Sequence, residues 1–246
     1  MHEGLQAVDE RAGVHAGSGR GAVGADDYGM PEDLLQDGDR VPRDEDAQGE
    51  HGTFNERKRK KMKNIMMIDI ETSGTKPGCR VLTLGAFGFD RDGNQVEFYR
   101  RFDATKLREE GFTDDLSTVE WWCSKCSKEA YVEAFGGTDN PKDGIADFKQ
   151  WCYRNFAMGK NDGFEAWCCG LDFDFPILGF FFEHYGYHFP WKFYDQRDYR
   201  TIKKEFPDIV AAEGNRMSHN ALEDAKAQMR GLREYKQRYS RAGAQL

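Results

Sequence analysis

Three apolar runs follow one another at residues 64–70, 80–89 and 95–102, and they constrain the fold more than any other feature of this chain. Each has the length and composition of a strand. The second and third are separated by Asp90-Arg91-Asp92-Gly93-Asn94, a tight-turn sequence. Runs so closely spaced pair as an antiparallel meander. Downstream the pattern changes. A helix is predicted over 117–135, where Val119, Trp122, Cys126, Ala130 and Ala134 recur at three-to-four spacing. A second helix is predicted over 142–156, a strand over 164–169, and an apolar helix over 176–185 that Gly186 closes. A short strand at 193–195, a helix at 201–206 and a last helix at 221–238 complete the series. A meander followed by strand–helix alternation implies an α/β domain, with a mixed five-stranded sheet flanked by helices.

Residues 1–61 share none of this pattern. Gly, Asp, Glu and Arg dominate and bulky apolar side chains are scarce. Such a segment buries too little apolar surface to offset its chain entropy, so a disordered tail is expected. The expected organisation is tail 1–61, folded domain 62–240 and a short C-terminal tail 241–246. The whole chain has a net charge of −8. The tail holds 14 acidic and 9 basic residues, which leaves 29 acidic against 26 basic for the rest. That balance excludes a broad basic coat for nucleic acid. It leaves room for a local cationic groove, or for phosphate chemistry through metal ions. The run Arg57-Lys58-Arg59-Lys60-Lys61-Met62-Lys63 admits three readings: a solvated linker, a nucleic-acid arm or localisation signal, or the flank of a start at Met62.

Six cysteines include Cys123-x-x-Cys126 and the adjacent pair Cys168 and Cys169. Neighbouring strand residues point to opposite faces, so the second pair makes poor co-ligands. Reduced thiols are expected rather than a zinc site. The sequence has no apolar run of membrane-spanning length and no signal-peptide core. A soluble, cytoplasmic protein without a membrane partner is the expectation.

The first strand reads Met66-Met67-Ile68-Asp69-Ile70-Glu71-Thr72. Period-two geometry puts Asp69 and Glu71 on one face, where like charges repel unless a cation sits between them or solvent bathes the strand end. Asp172 and Asp174 follow the strand at 164–169, near a sheet edge where sites collect. Asp174 precedes an apolar helix and equally suits an N-cap. Asn220-x-x-Glu223 has the form of a capping box for the last helix. That leaves His219 on the loop and Asp224 one turn inside, where the helix dipole favours a carboxylate. A loop histidine there suits a general base near neutral pH.

The segments "IDIETSG", "LDFDFPIL" and "HNALEDA" resemble the three motifs of the DnaQ-like, DEDDh-type 3′–5′ exonucleases, which have a ribonuclease H-like fold. "STVEWW" and "RDYRTI" are similar to the phage and bacterial subgroup that includes the phage T4 type. The resemblance spans about residues 64–240. It implies that Asp69, Glu71, Asp174 and Asp224 bind two Mg²⁺ or Mn²⁺ ions and that His219 is the general base. Asp69 would bridge the ions, Glu71 and Asp224 would complete the water-activating site, and Asp174 would serve the other ion. Thr72 matches a position near the terminal nucleotide; a strand-to-loop hydrogen bond is the alternative for its hydroxyl. Asp172 is a bystander. Glu223 stands where relatives often have Asp, and it is left free to cap.

The implied reaction is metal-dependent hydrolysis of single-stranded DNA or RNA from the 3′ end, with release of nucleoside 5′-monophosphates. Two ions about 3.5–4 Å apart stabilise the attacking and leaving oxygens of such a displacement, and hard oxygen ligands select Mg²⁺ or Mn²⁺. The alternatives are a catalytically silent nucleic-acid-binding or polymerase-associated module, and an interaction arm in the tail. Monomer and dimer both stay open. Trp121 and Trp122, about 100° apart on a helix, would divide so that one is core and the other lies toward solvent or substrate, with base stacking as one role. Phe173 could wedge or stack against a base but is read as core, and Arg200 could contact phosphate or form a local ion pair, the latter being favoured. Gly186 spoils a metal face for His184 and His188.

Overall fold

A computed structural model describes residues 62–214 and 218–239. The expected tails at 1–61 and 241–246 lie outside the described residues. Five strands form one mixed sheet: β1 (Ile65–Thr72), β2 (Val81–Phe89), β3 (Gln95–Arg101), β4 (Glu165–Cys168) and β5 (Gln196–Asp198). Their spatial order is β3-β2-β1-β4-β5. The first three pair antiparallel, and β4 runs parallel to both β1 and β5. This is the architecture expected from the order of the apolar runs.

Local chemistry explains the connections. Asp90 Oδ1 accepts from the backbone N–H groups of Asp92 and Asn94 (2.9 and 2.8 Å), and Gly93 supplies φ 79°. The β2–β3 turn is thereby closed by one carboxylate and one glycine. Asn64 takes φ 56° just before β1. Its amide is buried and bonds Ala157 N, Ala157 O and Asp162 O, which fixes where the first strand begins.

Among the described residues seven α-helices surround the sheet: α1 (Ala104–Glu109), α2 (Leu116–Lys125), α3 (Lys128–Phe135), α4 (Pro141–Asn155), α5 (Asp174–His184), α6 (Tyr199–Glu205) and α7 (Ala221–Arg238). Met66, Ile68 and Ile70 of β1 join Ile145 and Phe148 of α4 and Ile177, Phe181 and Phe182 of α5 in the larger core. The other face of β1 gives Ile65 and Met67 to a second core with Ala225, Met229 and Leu232 of α7. A third, smaller cluster sets Leu82 of β2 against Trp122, Ala130 and Ala134 of α2 and α3. No helix among the described residues is long and apolar enough to cross a membrane.

Several elements differ from expectation. The predicted helix over 117–135 is two helices, because Cys126 is extended and the Ser127 hydroxyl accepts from Ala130 N to start a new one. Helix α1 was not expected; Asp103 caps it by accepting from Thr105 N and Lys106 N. The strand expected at 193–195 is a 3₁₀ turn (Phe193–Asp195), and β5 follows it. A second 3₁₀ segment, Pro207–Glu213, was also unforeseen. Strand β1 runs through Thr72, so Glu71 is a strand residue.

One buried ion pair ties the meander to its helices. The Arg80 side chain is enclosed, pairs with Asp114 at 2.5 Å, and donates to Ala104 O at 3.0 Å. Removing Asp114 leaves a guanidinium in the core without its counter-charge. Asp114→Ala is expected to lower the unfolding free energy by about 3 kcal/mol in urea titration. The double variant Arg80→Met/Asp114→Ala should lose less than that single change. Equal stability of Asp114→Ala and wild type would show that the pair holds nothing together.

Candidate active site

The site forms where β1 ends. Asp69 and Glu71 are half-buried and lie on the face of the sheet that α7 covers. What allows α7 to come so close is Gly85, the cross-strand partner of Asp69 on β2. A Cβ on Gly85 would lie 2.2 Å from Leu222 N and 2.3 Å from Ala221 C. The first turn of α7 therefore rests directly on the β2 backbone. Any side chain at this position would push that turn off the sheet.

The start of α7 is fixed from several sides. Asn220 is the N-cap, and its Oδ1 accepts from Leu222 N and Glu223 N, both at 3.1 Å. Its Nδ2 donates to Glu133 Oε1 (3.2 Å), which also accepts from the Tyr99 hydroxyl at 2.8 Å. The expected capping box is half-formed. Glu223 turns to Lys226 at 3.0 Å instead, and the Asn220 N–H donates to Ser218 Oγ at 3.3 Å. Ser218 Oγ in turn donates to Asp224 Oδ1 at 3.3 Å.

His219 sits on this entry with φ 47°. A non-glycine residue in the left-handed region carries local strain that its surroundings must hold in place. Two indoles help to do so. The imidazole lies edge-to-face against Trp121 (centroids 5.1 Å, 85°) and Trp122 (5.6 Å, 71°). Trp122 is 2% exposed and donates from Nε1 to Thr72 O at 2.9 Å, whereas Trp121 is 40% exposed. The division of the two tryptophans between core and surface follows the 100° helical step. Possible ligand atoms of Glu71, His219 and Asp224 all lie within 4.8 Å of one another.

Asp174 reaches the same edge from the β4–α5 connection. Met67 of β1 pairs with Trp167 of β4, so the residues after β4 emerge level with Asp69. Gly170, at φ 145°, accepts from both Phe173 N and Asp174 N to turn the chain into α5. Asp174 is the first residue of α5 and not its cap; Phe173 holds the cap position without a side-chain hydrogen bond. Asp174 is 4% exposed, while the Asp172 side chain is 88% exposed and faces Arg200 at 3.8 Å. Arg200 also donates to Cys169 O at 2.7 Å. Thr72 is buried, and its hydroxyl donates to Gly74 O at 2.6 Å, which is the strand-to-loop bond considered as its alternative. His184 packs against Phe112 (4.5 Å).

The four carboxylates strain one another. Burial, then Asp174, Glu71 and Asp224, hold Asp69 well above the ordinary carboxylate range, against one hydrogen bond from Gln228. Burial, then Asp224 and Asp174, push Glu71 up to about 8. Burial pushes Asp174 up to about 7, with hydrogen bonding to the Cys168 thiol and the Arg200 charge opposing it. Asp224 is raised by burial, with His219 opposing. A set of hard oxygen donors whose charged forms burial disfavours fits a divalent cation.

Gln228 was not anticipated from sequence. It donates from Nε2 to Asp69 Oδ1 at 2.8 Å. The signal was present, since Gln228 lies four residues after Asp224 and therefore on the same helical face.

The family model described as a 3'-5' exoribonuclease Rv2179c-like domain matches residues 64–235. A protein of Enterobacteria phage T4 described as an exodeoxyribonuclease is 32% identical over 126 residues, covering 46% of this chain and 52% of the phage protein. The chain thus spans about half the length of that relative. A structure of S. pombe Pop2p in its Mg²⁺- and Mn²⁺-bound form superposes with a TM-score of 0.47 at 16% identity, covering 72% of this chain and 84% of that one.

The raised carboxyls have a consequence for stability. In the unfolded chain Glu71 ionises near 4.5, and in the fold near 8. Between those values the folded state binds the proton more tightly, so metal-free stability is greatest on the acid side and falls as pH rises. The melting temperature in EDTA should drop between pH 6 and pH 8, and excess Mg²⁺ should shrink the drop. A flat profile in EDTA would mean that the carboxylates do not strain the fold.

Proposed function

The chain belongs to the 3'-5' exoribonuclease Rv2179c-like family, and from that premise we propose that it is a metal-dependent 3′–5′ exonuclease acting on single-stranded nucleic-acid ends. The observation that carries this reading is the group formed by Glu71, His219 and Asp224 within 4.8 Å, beside the half-buried Asp69 and the buried Asp174. A histidine set among carboxylates at the mouth of a sheet edge gives one proton acceptor and a ring of anionic ligands.

Asp69, Glu71, Asp174 and Asp224 are assigned to hold two Mg²⁺ or Mn²⁺ ions. When bound, those ions supply Lewis-acid stabilisation of the charge that develops on the attacking and leaving oxygens. The protein supplies the rest. His219, on a loop and half-exposed, accepts the proton of the attacking water at a ring nitrogen. The two indoles restrict the imidazole so that this nitrogen keeps its direction. Trp121 offers an exposed aromatic face next to the base, on which a terminal nucleobase stacks without sequence preference. Thr72 is assigned to contact the terminal nucleotide, its hydroxyl donating to Gly74 O and its oxygen still able to accept. The products are nucleoside 5′-monophosphates.

The relatives' names point to both sugar classes, one to an exoribonuclease and one to an exodeoxyribonuclease. The test is digestion of 5′-labelled single-stranded DNA and RNA oligomers with Mg²⁺, Mn²⁺ or EDTA. Wild type should give a descending ladder that requires metal, and the faster oligomer identifies the substrate. His219→Ala should lower turnover by about 10²–10⁴-fold with little change in substrate binding. Asp69→Asn should in addition lose metal affinity. No ladder on either oligomer, with the protein folded and metal present, would leave only a nucleic-acid-binding module.

A further inference from the structure

Helix α7 carries one polar side chain in the middle of its inward stripe. At about 100° per residue, Gln228 falls between Asp224 and the buried Ala221, Ala225 and Leu232. A polar group in such a place destabilises the fold unless its hydrogen-bonding capacity is used. Gln228 uses half of it. Its Nε2 donates to Asp69 Oδ1 at 2.8 Å. Its Oε1 is buried and has no hydrogen-bond partner. A methionine or leucine would fill the same space without an orphaned acceptor, so packing does not account for a glutamine here.

The chemistry of the amide suits its neighbour. Burial first, then the charges of Asp174, Glu71 and Asp224, disfavour the ionised form of Asp69. A lysine or arginine at position 228 would neutralise Asp69 and compete with a cation for it. A glutamate would add a further negative charge. A neutral N–H donor fixes the carboxylate's orientation and leaves its charge intact for a metal ion. The acceptor left over is suited to the hydrogens of a hydrated divalent cation, because nothing in the protein occupies it.

We propose that Gln228 is a positioning residue for the cation site: its N–H orients Asp69, and its Oε1 accepts from the hydration shell of the cation that Asp69 holds. The proposal rests on the metal-nuclease reading above. It extends the donor set from four carboxylates to a fifth side chain that touches the site through hydrogen bonds alone. It also explains why α7 presents Asp224 and Gln228 together: one turn of helix supplies a ligand and the group that orients the ligand opposite.

The experiment measures Mn²⁺ affinity of the full chain by calorimetry or electron paramagnetic resonance, with melting curves in EDTA. It compares wild type, Asp69→Asn, Gln228→Met and Gln228→Lys. Gln228→Met is expected to bind Mn²⁺ at least about tenfold more weakly and to melt in EDTA no lower than wild type, since the orphaned acceptor is gone. Its turnover should recover in part as Mn²⁺ is raised, which a packing defect would not do. Gln228→Lys is expected to melt higher than wild type in EDTA, through an ammonium–Asp69 pair, and to gain little from added Mn²⁺. Gln228→Met with wild-type Mn²⁺ affinity would overturn the proposal and leave Gln228 as packing only. Equal Mn²⁺ binding by wild type and Asp69→Asn would instead overturn the metal-site reading, and the role of Gln228 with it.

Discussion

Burial of four neighbouring carboxylates at one edge of the sheet, with the repulsion it strengthens, is the constraint around which the fold is arranged. Two unit charges about 4 Å apart repel by about 4 kcal/mol at an effective dielectric near 20. Glu71 and Asp224 approach that separation, with the half-buried Asp69 and the buried Asp174 beside them. Rigid packing is what prevents the cluster from opening. Gly85 lets α7 press onto β2, Glu133 holds the α7 cap, and Trp122 anchors Thr72 at the end of β1. Each contact acts on the backbone beside a carboxylate and leaves the carboxylate itself free.

Much of the fold was legible because its signals are local. The meander declared itself through three apolar runs and the Asp90–Asn94 turn, and α7 through Asn220 and a long amphipathic repeat. The bounds of α7 match expectation at both ends. The elements that were misread depend on short-range competition. Ser127 interrupts a run of helical spacing because its hydroxyl can replace a backbone acceptor, and α1 exists because Asp103 caps a segment only six residues long. At 193–195 a short strand was expected. There the chain instead closes a 3₁₀ turn through Asp195, whose carboxylate accepts from Lys192 N.

The candidate site divides in the same way. Asp69, Glu71, Asp174, His219 and Asp224 could be named because the resemblance rests on the segments that contain them. Their second partners could not be. Gly85 matters through its distance from a helix that begins far along the chain, and nothing near it in sequence announces that approach. Trp121 and Trp122 were separable into surface and core by helical geometry, but their contact with His219 depends on where α2 lies against the α7 entry. Gln228 could have been found by counting four residues on from Asp224, yet its partner on β1 is visible only in three dimensions.

The partners chosen for the carboxylates are themselves informative. Arg80 meets Asp114 in a paired, enclosed ion bridge, which is the ordinary solution for a buried charge in this molecule. The site carboxylates are treated differently. Asp69 receives a neutral amide, Asp224 a serine hydroxyl, and Asp174 the thiol of Cys168. None of these donors cancels a negative charge. The fold thus tolerates anionic strain at one sheet edge while it neutralises charge elsewhere. Such strain is relieved when a divalent cation binds, so part of the intrinsic cation affinity is set by how firmly the surrounding contacts keep the carboxylates together. Loosening those contacts would relieve the charge strain of the metal-free protein and weaken the cation site by the same physical cause.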